Sequence, residues 1–371
     1  FIIKIQNFNQ ITNSNKSPNI YCLHPYLEGR RRDVEKKLYP RNHLWGIDAI
    51  ESQKGWYSQT IATDNIRVPS LLEKLINRCF FKGSPGVKTE LAAYRASRFA
   101  DLIYSVCGPL ALARFFRSTL LVSWVFREPP SMTNTNGFTY SAYSIQNLKA
   151  HAGFLTLTPN AENKFAHYAP ARFLPWCVDL DIFDGKPSTQ KPTRPFFLAT
   201  GKTERDYETL AKAALQVKAD IRIIGPASAR PSNSPPNLFW TNTSQEPTDQ
   251  AINYTTLRDW YAQATAICIP LTGDANDTCG YTNLLEGMAM AKPVLMTRSG
   301  CLHFDPETHR CGYLIDPASP NHWSSSMNEI LQKPNLAASL GAVGRNIAKK
   351  EFSTERFNQN ILNFLSERLS N

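Results

Sequence analysis

The chain has no Cys-x-x-Cys pair, and its eight cysteines (Cys22, Cys79, Cys107, Cys177, Cys268, Cys279, Cys301 and Cys311) show no metal spacing. Cys268 sits in an apolar run, where a free buried thiol is ordinary. The expectation is a reducing compartment without a disulfide framework. Long apolar runs are missing as well. Runs such as residues 120–126 are far shorter than the ~20 residues that cross a bilayer. No secretory signal is visible, although the sequence begins at Phe1 rather than Met, which leaves a preceding leader open. A long basic stripe and a nucleic-acid-binding module are also absent, which argues against a nucleic-acid partner. Acidic residues are the scarcer charge, 31 against 41 Lys and Arg, for a net charge of +10.

What is present fits a globular protein. Charged residues are 19% and apolar ones 42% of 371 residues, enough chain for two α/β domains. The basic surplus is uneven: residues 1–185 hold 22 Lys/Arg against 14 Asp/Glu, and the remainder 19 against 17. Arg30, Arg31, Arg32, Lys36, Lys37 and Arg41 cluster in the first half. Residues 71–82 (LLEKLINRCFFK) mix a wide apolar face with Lys and Arg. That stretch has two readings, a helix resting on an anionic membrane surface or an ordinary core helix with a charged rim.

Apolar strand-like runs alternate with helical ones, which predicts a mostly parallel sheet in each half. In the first half, strands are expected at 19–23, 57–62, 102–106, 120–126 and 154–158, and helices at 43–53, 89–100, 144–152 and 161–168. Residues 184–194 (DGKPSTQKPTR) form the best linker. Beyond it, strands are expected at 196–199, 221–224, 266–270 and 293–297. Helices are expected at 207–217, 257–263, 282–291, 321–333 and 335–350. The domains are thus 1–184 and 185–354, with a last helix at about 355–371.

The most informative segment is Gly280-Tyr281-Thr282-Asn283-Leu284-Leu285-Glu286, continuing through Lys292-Pro293-Val294. A Gly at a loop–helix junction lets an anion approach backbone N–H groups that the helix start leaves unpaired. Thr282 and Asn283 add short polar groups to the first turn. Glu286 is the only charge in an otherwise apolar helix. Such a carboxylate usually has a partner, and a ribose diol would supply one. After the strand at 196–199, Gly201, Lys202 and Arg205 place two cations where α/β sheets bind ligands.

In order and spacing, these segments resemble the nucleotide-sugar region of retaining GT-B glycosyltransferases, close to glycosyltransferase family 4 (glycosyl transferases group 1). The resemblance implies a GT-B fold, two Rossmann-like domains facing each other across a cleft. It implies a hexosyltransferase moving a sugar from a nucleotide-sugar donor, UDP-linked by preference, with retention of configuration and with no metal or other cofactor. Gly201, Gly225, Tyr254, Asp274, Asp277, Thr278, Gly280, Tyr281, Thr282, Asn283 and Glu286 would bind the donor. Lys202 and Arg205 would meet the leaving diphosphate, and the last helix would cross back to the first domain. Residues 174–183 (LPWCVDLDIF) resemble the family's Pro-x-Gly-Val-Asp-x-x-x-Phe run, with Cys177 for Gly. That match accounts for Asp179-Leu180-Asp181 better than a metal string does.

One departure concerns chemistry. The family has two Glu residues with seven positions between them, and Thr278 stands where the first is common. Asp274 and Asp277 lie nearby and could take over its contacts. Asn276-Asp277-Thr278 also spells a glycosylation sequon inside this loop, which favours a cytoplasmic protein, with peripheral contact at the inner face of a membrane left open. The acceptor, a small molecule, glycan or lipid, is expected in the first domain, near His24, His43, Cys107-Gly108 or Arg127-Glu128, with His24 and Glu128 as candidate catalytic groups. The family's usual glycine-rich loop after the first strand is not evident. Two alternatives remain from the residues: a GT-B scaffold that binds a nucleotide sugar without transferring it, and a sugar-nucleotide epimerase.

Overall fold

The computed structural model describes residues 17–24, 26–81, 84–126, 141–189, 192–242, 253–273, 278–298 and 303–370. Arg127, Glu128, Asp274 and Asp277 lie outside them. The first lobe runs β1 (Asn19–Leu23), α1 (Leu27–Glu35), α2 (Ile47–Ser52), β2 (Tyr57–Thr60), α3 (Ser70–Phe80), α4 (Val87–Ala96), β3 (Leu102–Ser105), β4 (Leu120–Val125), α5 (Ile145–Lys149), β5 (Gly153–Thr156), α6 (Pro159–Phe165) and β6 (Ala171–Phe173). The second runs β7 (Phe196–Thr200), α7 (Tyr207–Ala214), β8 (Asp220–Gly225), β9 (Leu238–Asn242), α8 (Tyr254–Gln263), β10 (Ala266–Ile269), α9 (Tyr281–Ala289), β11 (Val294–Thr297), β12 (Gly312–Ile315), α10 (Pro320–Gln332) and α11 (Pro334–Glu351). A final helix, α12 (Thr354–Ser370), returns to the first lobe.

Each lobe holds a six-stranded sheet, ordered β2-β1-β3-β4-β5-β6 and β12-β11-β10-β7-β8-β9. All the pairings are parallel. Helices cover both faces, so central strands such as β3 (LIYS), β7 (FFLAT) and β10 (AICI) are buried along their whole length.

The helix expected over residues 43–53 is broken. His43 lies in a short 3-10 turn (Arg41–Leu44), Trp45 and Gly46 take left-handed backbone, and α2 starts after them. Gly46 is needed there, because a Cβ would lie 2.6 Å from Ile361 of α12. Elsewhere α12 sends Phe357 into a cluster of Trp45, Trp124 and Trp176. Its Glu367 takes a two-pronged bond from Arg172, at 3.1 and 2.8 Å.

The two segments that cross between lobes hold each other. Val178 N–H donates to Phe352 O at 2.9 Å, and Thr354 Oγ1 donates to Val178 O at 3.2 Å. Arg345 of α11 donates to the carbonyls of Phe183, Asp184 and Ala289 at 2.6–2.8 Å. The crossover is therefore pinned to the C-terminal end of α9, the helix that carries Glu286.

Glu90 of α4 is fully buried, and its carboxylate accepts the N–H groups of Ala111 (2.7 Å) and Leu112 (3.1 Å) in the loop after β3. Burial pushes its carboxyl above the usual range, against those bonds. Removing the acceptor leaves one buried and one half-buried donor unpaired. Glu90→Ala is therefore expected to lower unfolding free energy by about 2 kcal/mol, read from urea denaturation.

Candidate functional site

Read from its edge, the second sheet is β9-β8-β7-β10-β11-β12. The chain starts in the middle at β7, builds outward to β9, then reverses through β10 to the other edge. The reversal lies between β7 and β10, and open α/β sheets bind ligands outside the carboxyl ends of the strands at that point. Thr200 and Leu271 mark those two ends.

Past Thr200 the chain turns at Gly201 (φ +134°), where a Cβ would collide with the guanidinium of Arg205. Arg205 folds back over this glycine. Its backbone pairs with Leu271 at the end of β10, and Asp206 N–H donates to Pro270 O at 3.0 Å. The Asp206 carboxylate then caps α7 by accepting Thr209 N–H at 3.0 Å. Tyr207 OH donates to Gly201 O at 2.8 Å and fixes the turn from beneath.

On the β10 side, α9 begins after Gly280 (φ +83°), whose missing Cβ would sit 2.6 Å from Ile269. Asn283, in the first turn of α9, ties the two sides together. Its Oδ1 accepts from Arg205 Nη2 at 2.7 Å, and its Nδ2 donates to Thr200 Oγ1 at 2.6 Å and to Tyr261 OH at 3.2 Å. Arginine can only donate, so the amide orientation follows. Tyr261 OH in turn donates to Glu286 Oε2 at 2.7 Å. A continuous chain of bonds thus runs from Arg205 through Asn283 and Tyr261 to Glu286.

Glu286 is only 3% exposed, and burial pushes its carboxyl up to about 7, against the bonds from Tyr261 and Asn283. Of its two partners, Tyr261 is a residue that the sequence did not single out. Thr200 and Tyr207 were missed as well. Tyr261 and Thr200 act across the fold, so no local pattern announces them, whereas Tyr207 bonds Gly201 within its own segment.

Lys202 lies exposed on the same turn as Arg205, and partial burial lowers its ammonium below the usual lysine range. Gly225 ends β8 under the rings of Trp240 and Tyr207, which a Cβ would meet at 2.8–3.0 Å. Thr278 and Thr282 are half-buried beside the start of α9. Two of the predicted donor residues, Tyr281 and Tyr254, make protein contacts of their own. The Tyr281 ring is buried, its hydroxyl 3.1 Å from His303 Nε2, and it packs on Phe352. Tyr254 packs edge-on against Tyr39 of the first lobe, with ring centres 4.7 Å apart. That contact and Phe183 against Tyr261 (5.7 Å) place the bond chain at the junction of the lobes.

In the first sheet the reversal lies between β1 and β3. The ends of those strands carry His24 and the turn Cys107-Gly108, so the structure brings these two acceptor candidates together. His24 is held at Nδ1 by Tyr26 N–H (3.1 Å) and contacts the backbone of His43. Burial lowers His24 to about 4 and His43 to about 3, so both rings are neutral near pH 7. Asp179 accepts the N–H groups of Arg41 (2.7 Å), Asp181 (2.9 Å) and Ile182 (3.3 Å), which makes Asp179-Leu180-Asp181 a turn. Among the described residues no three His, Cys, Asp or Glu gather as a metal site.

A cavity of about 660 Å³ opens elsewhere at the lobe junction, between the end of β6 and α11–α12. Arg172, Phe173, His303, Phe304, Lys350 and Arg356 are among its walls, and none of Gly201, Lys202, Arg205, Asn283 or Glu286 is.

Residues 194–333, the span that holds the bond chain, match the family model described as glycosyl transferases group 1. That match covers 140 of the 371 residues. A curated relative, human alpha-1,3/1,6-mannosyltransferase ALG2, is 31% identical over 85 residues, which is 23% of this chain and 20% of the relative. The likeness to solved structures extends to both lobes. Sucrose-phosphate synthase from Thermosynechococcus elongatus superposes with a TM-score of 0.64 at 15% identity, covering 95% of this chain and 99% of that one. A glycosyltransferase from Rickettsia africae gives 0.62 at 14% identity, covering 96% and 99%. Anabaena HepE, solved in complex with UDP and glucose, gives 0.58 at 13% identity, covering 94% and 100%. The fold is GT-B, and the matched residues lie in its second lobe. No described helix is long and apolar enough to cross a membrane.

Proposed function

We propose that this chain transfers a glycosyl group from a nucleotide-sugar donor, UDP-linked by preference, to an acceptor held against the first lobe, with retention of configuration. One observation carries it. An arginine and the first turn of α9 are bonded to each other at the switch point between β7 and β10, in front of a buried carboxylate. A leaving diphosphate develops negative charge, and a helix start with fixed cations opposes it without reorganising. Lys202, Arg205 and the backbone at Thr282 and Asn283 would receive the diphosphate. Glu286 would reach the ribose from behind, its position set by Tyr261. The proposal needs no metal and no enzyme nucleophile. The match to group 1 glycosyl transferases and the UDP complex of Anabaena HepE support it.

A thermal-shift series with UDP, GDP and ADP tests the donor half. A nucleotide at 100 times its dissociation constant is expected to stabilise the fold by about 2.7 kcal/mol. UDP should give the largest shift, and no shift with any of the three would remove the donor proposal. Release of UDP from a UDP-sugar then separates transferase from binder. Thr278 favours a second reading, a scaffold that holds the donor without reacting it, because the hydroxyl replaces a common carboxylate. Binding without any UDP release would select it.

A further inference from the structure

The outer face of α3 is inverted. In a helix of a globular domain the apolar side turns inward and the polar side meets water. No residue of α3 is buried; Leu71 is 82% exposed, Leu75 59% and Phe80 68%. The polar residues hold it to the body instead. Glu73 pairs with Lys88 at 2.7 Å, and Asn77 Oδ1 accepts Val87 N–H at 2.7 Å, capping the start of α4. Leu71, Leu75 and Cys79 follow one another at four-residue spacing, with Leu72 beside them, so they share the outward stripe. Lys74 and Arg78 are exposed and flank that stripe, each three residues beyond a leucine of it.

We propose that this face docks on an anionic lipid surface. The charge selects the occupant. The outward face carries two cations, and the single acid of α3, Glu73, is turned in against Lys88. The surrounding half of the chain is the strongly basic one, with 22 Lys/Arg against 14 Asp/Glu in residues 1–185. Apolar side chains seated among lysines and arginines suit the boundary between acyl chains and anionic headgroups. The helix is also well placed. Glu90 of α4 bonds the loop beyond β3, so the start of α4, which α3 caps, lies level with the carboxyl ends of the first sheet. Docking through α3 would set that rim of the cleft beside the lipid surface.

Flotation of the whole protein with phosphatidylcholine vesicles, with and without phosphatidylglycerol, tests this without any nucleotide. Its outcome is therefore separate from that of the donor assay. The protein is expected to float with the anionic vesicles only, and less so at ~1 M than at ~0.01 M salt, as the Debye length falls from about 30 to 3 Å. Each cation near the surface contributes a factor of about five, so K74Q with R78Q should lower partitioning roughly 30-fold. L71S with L75S should also lower it, and neither pair should shift the melting temperature, because all four side chains are exposed. Wild type that stays in the dense fraction with anionic vesicles overturns the proposal. So do variants that float as well as wild type. So does a concentration-dependent dimer that L71S with L75S converts to monomer without changing flotation, since a second copy would then be what covers the stripe.

Discussion

Arg205→Ala is expected to lower donor turnover by about 10²–10³-fold, the size seen when one charge-stabilising donor is removed from a transition-state site. The guanidinium donates to Thr200 O (3.2 Å), Thr203 O (2.7 Å) and Asn283 Oδ1 (2.7 Å), all neutral acceptors. Among the described residues no carboxylate pairs with it, and its bonds to neutral acceptors leave its charge in place to meet a diphosphate. The three bonds fix where that charge sits, which is what pre-organisation requires. Arg205→Lys keeps the charge but loses the planar fork. It should fall between wild type and alanine. Lys202→Ala should lower turnover too, with a smaller effect on folding, because Lys202 is exposed. If both cations serve one phosphate group, the double variant will lose less than the product of the single losses. The measurement is initial rate of nucleotide release with saturating UDP-sugar, beside a melting curve for each variant. An alanine variant within threefold of wild type, still folded, would remove Arg205 from the site.

Most of the strands that the sequence announced are interior ones; the edge strand β2 (YSQT), which has no buried residue, is the exception. β3, β4, β7, β8, β10 and β11 are interior strands, and their largely apolar runs are visible without any partner. The strands that went unread, β6, β9 and β12, all lie at sheet edges. β9 (LFWTN) is mostly exposed or half-exposed, and β6 (ARF) has no buried residue, so neither carries a strong pattern. α1 (LEGRRRDVE) buries only Leu27 and lacks an apolar stripe for the same reason. Periodicity also says that a helix has two faces without saying which one meets the body. That is why α3 had two readings, and why the core-helix reading fails against a helix with no buried residue. At the site, Gly201, Arg205, Gly280, Asn283 and Glu286 were legible because turn and helix-start chemistry is local. Tyr261 was not, since it meets Glu286 from a different helix, 25 residues earlier in the chain.

Glu286→Gln should make the protein more stable at alkaline pH and less active at the same time. Burial holds the Glu286 carboxyl at about 7, above its ordinary value of 4.5. Between those two values the folded chain keeps a proton here that the unfolded chain has lost. Its favourable contribution is therefore complete below about pH 4.5 and disappears as pH rises through 7. Glutamine keeps the size, still accepts from Tyr261 OH and cannot ionise. Unfolding free energies of wild type and variant, compared in urea at pH 5 and pH 8, should thus diverge by roughly 2–3 kcal/mol in favour of the variant at the higher pH. The histidines whose charged form is disfavoured act in the opposite direction. His24, His151 and His303 are lowered to about 4 and His43 to about 3, so stability falls as pH drops from 6.5 toward 4. They are present in both proteins and cancel in the comparison. A difference that stays flat from pH 5 to pH 8 would mean that Glu286 is not held in its proton-bound form. Turnover supplies the other half. A glutamine amide offers a ribose diol one acceptor where a carboxylate offers two, so the variant should bind UDP more weakly while melting later. A buried acid kept at such a cost, in a helix otherwise apolar, is what a donor-contacting role predicts. A variant that is more stable at pH 8 and equally active would assign Glu286 to the fold alone.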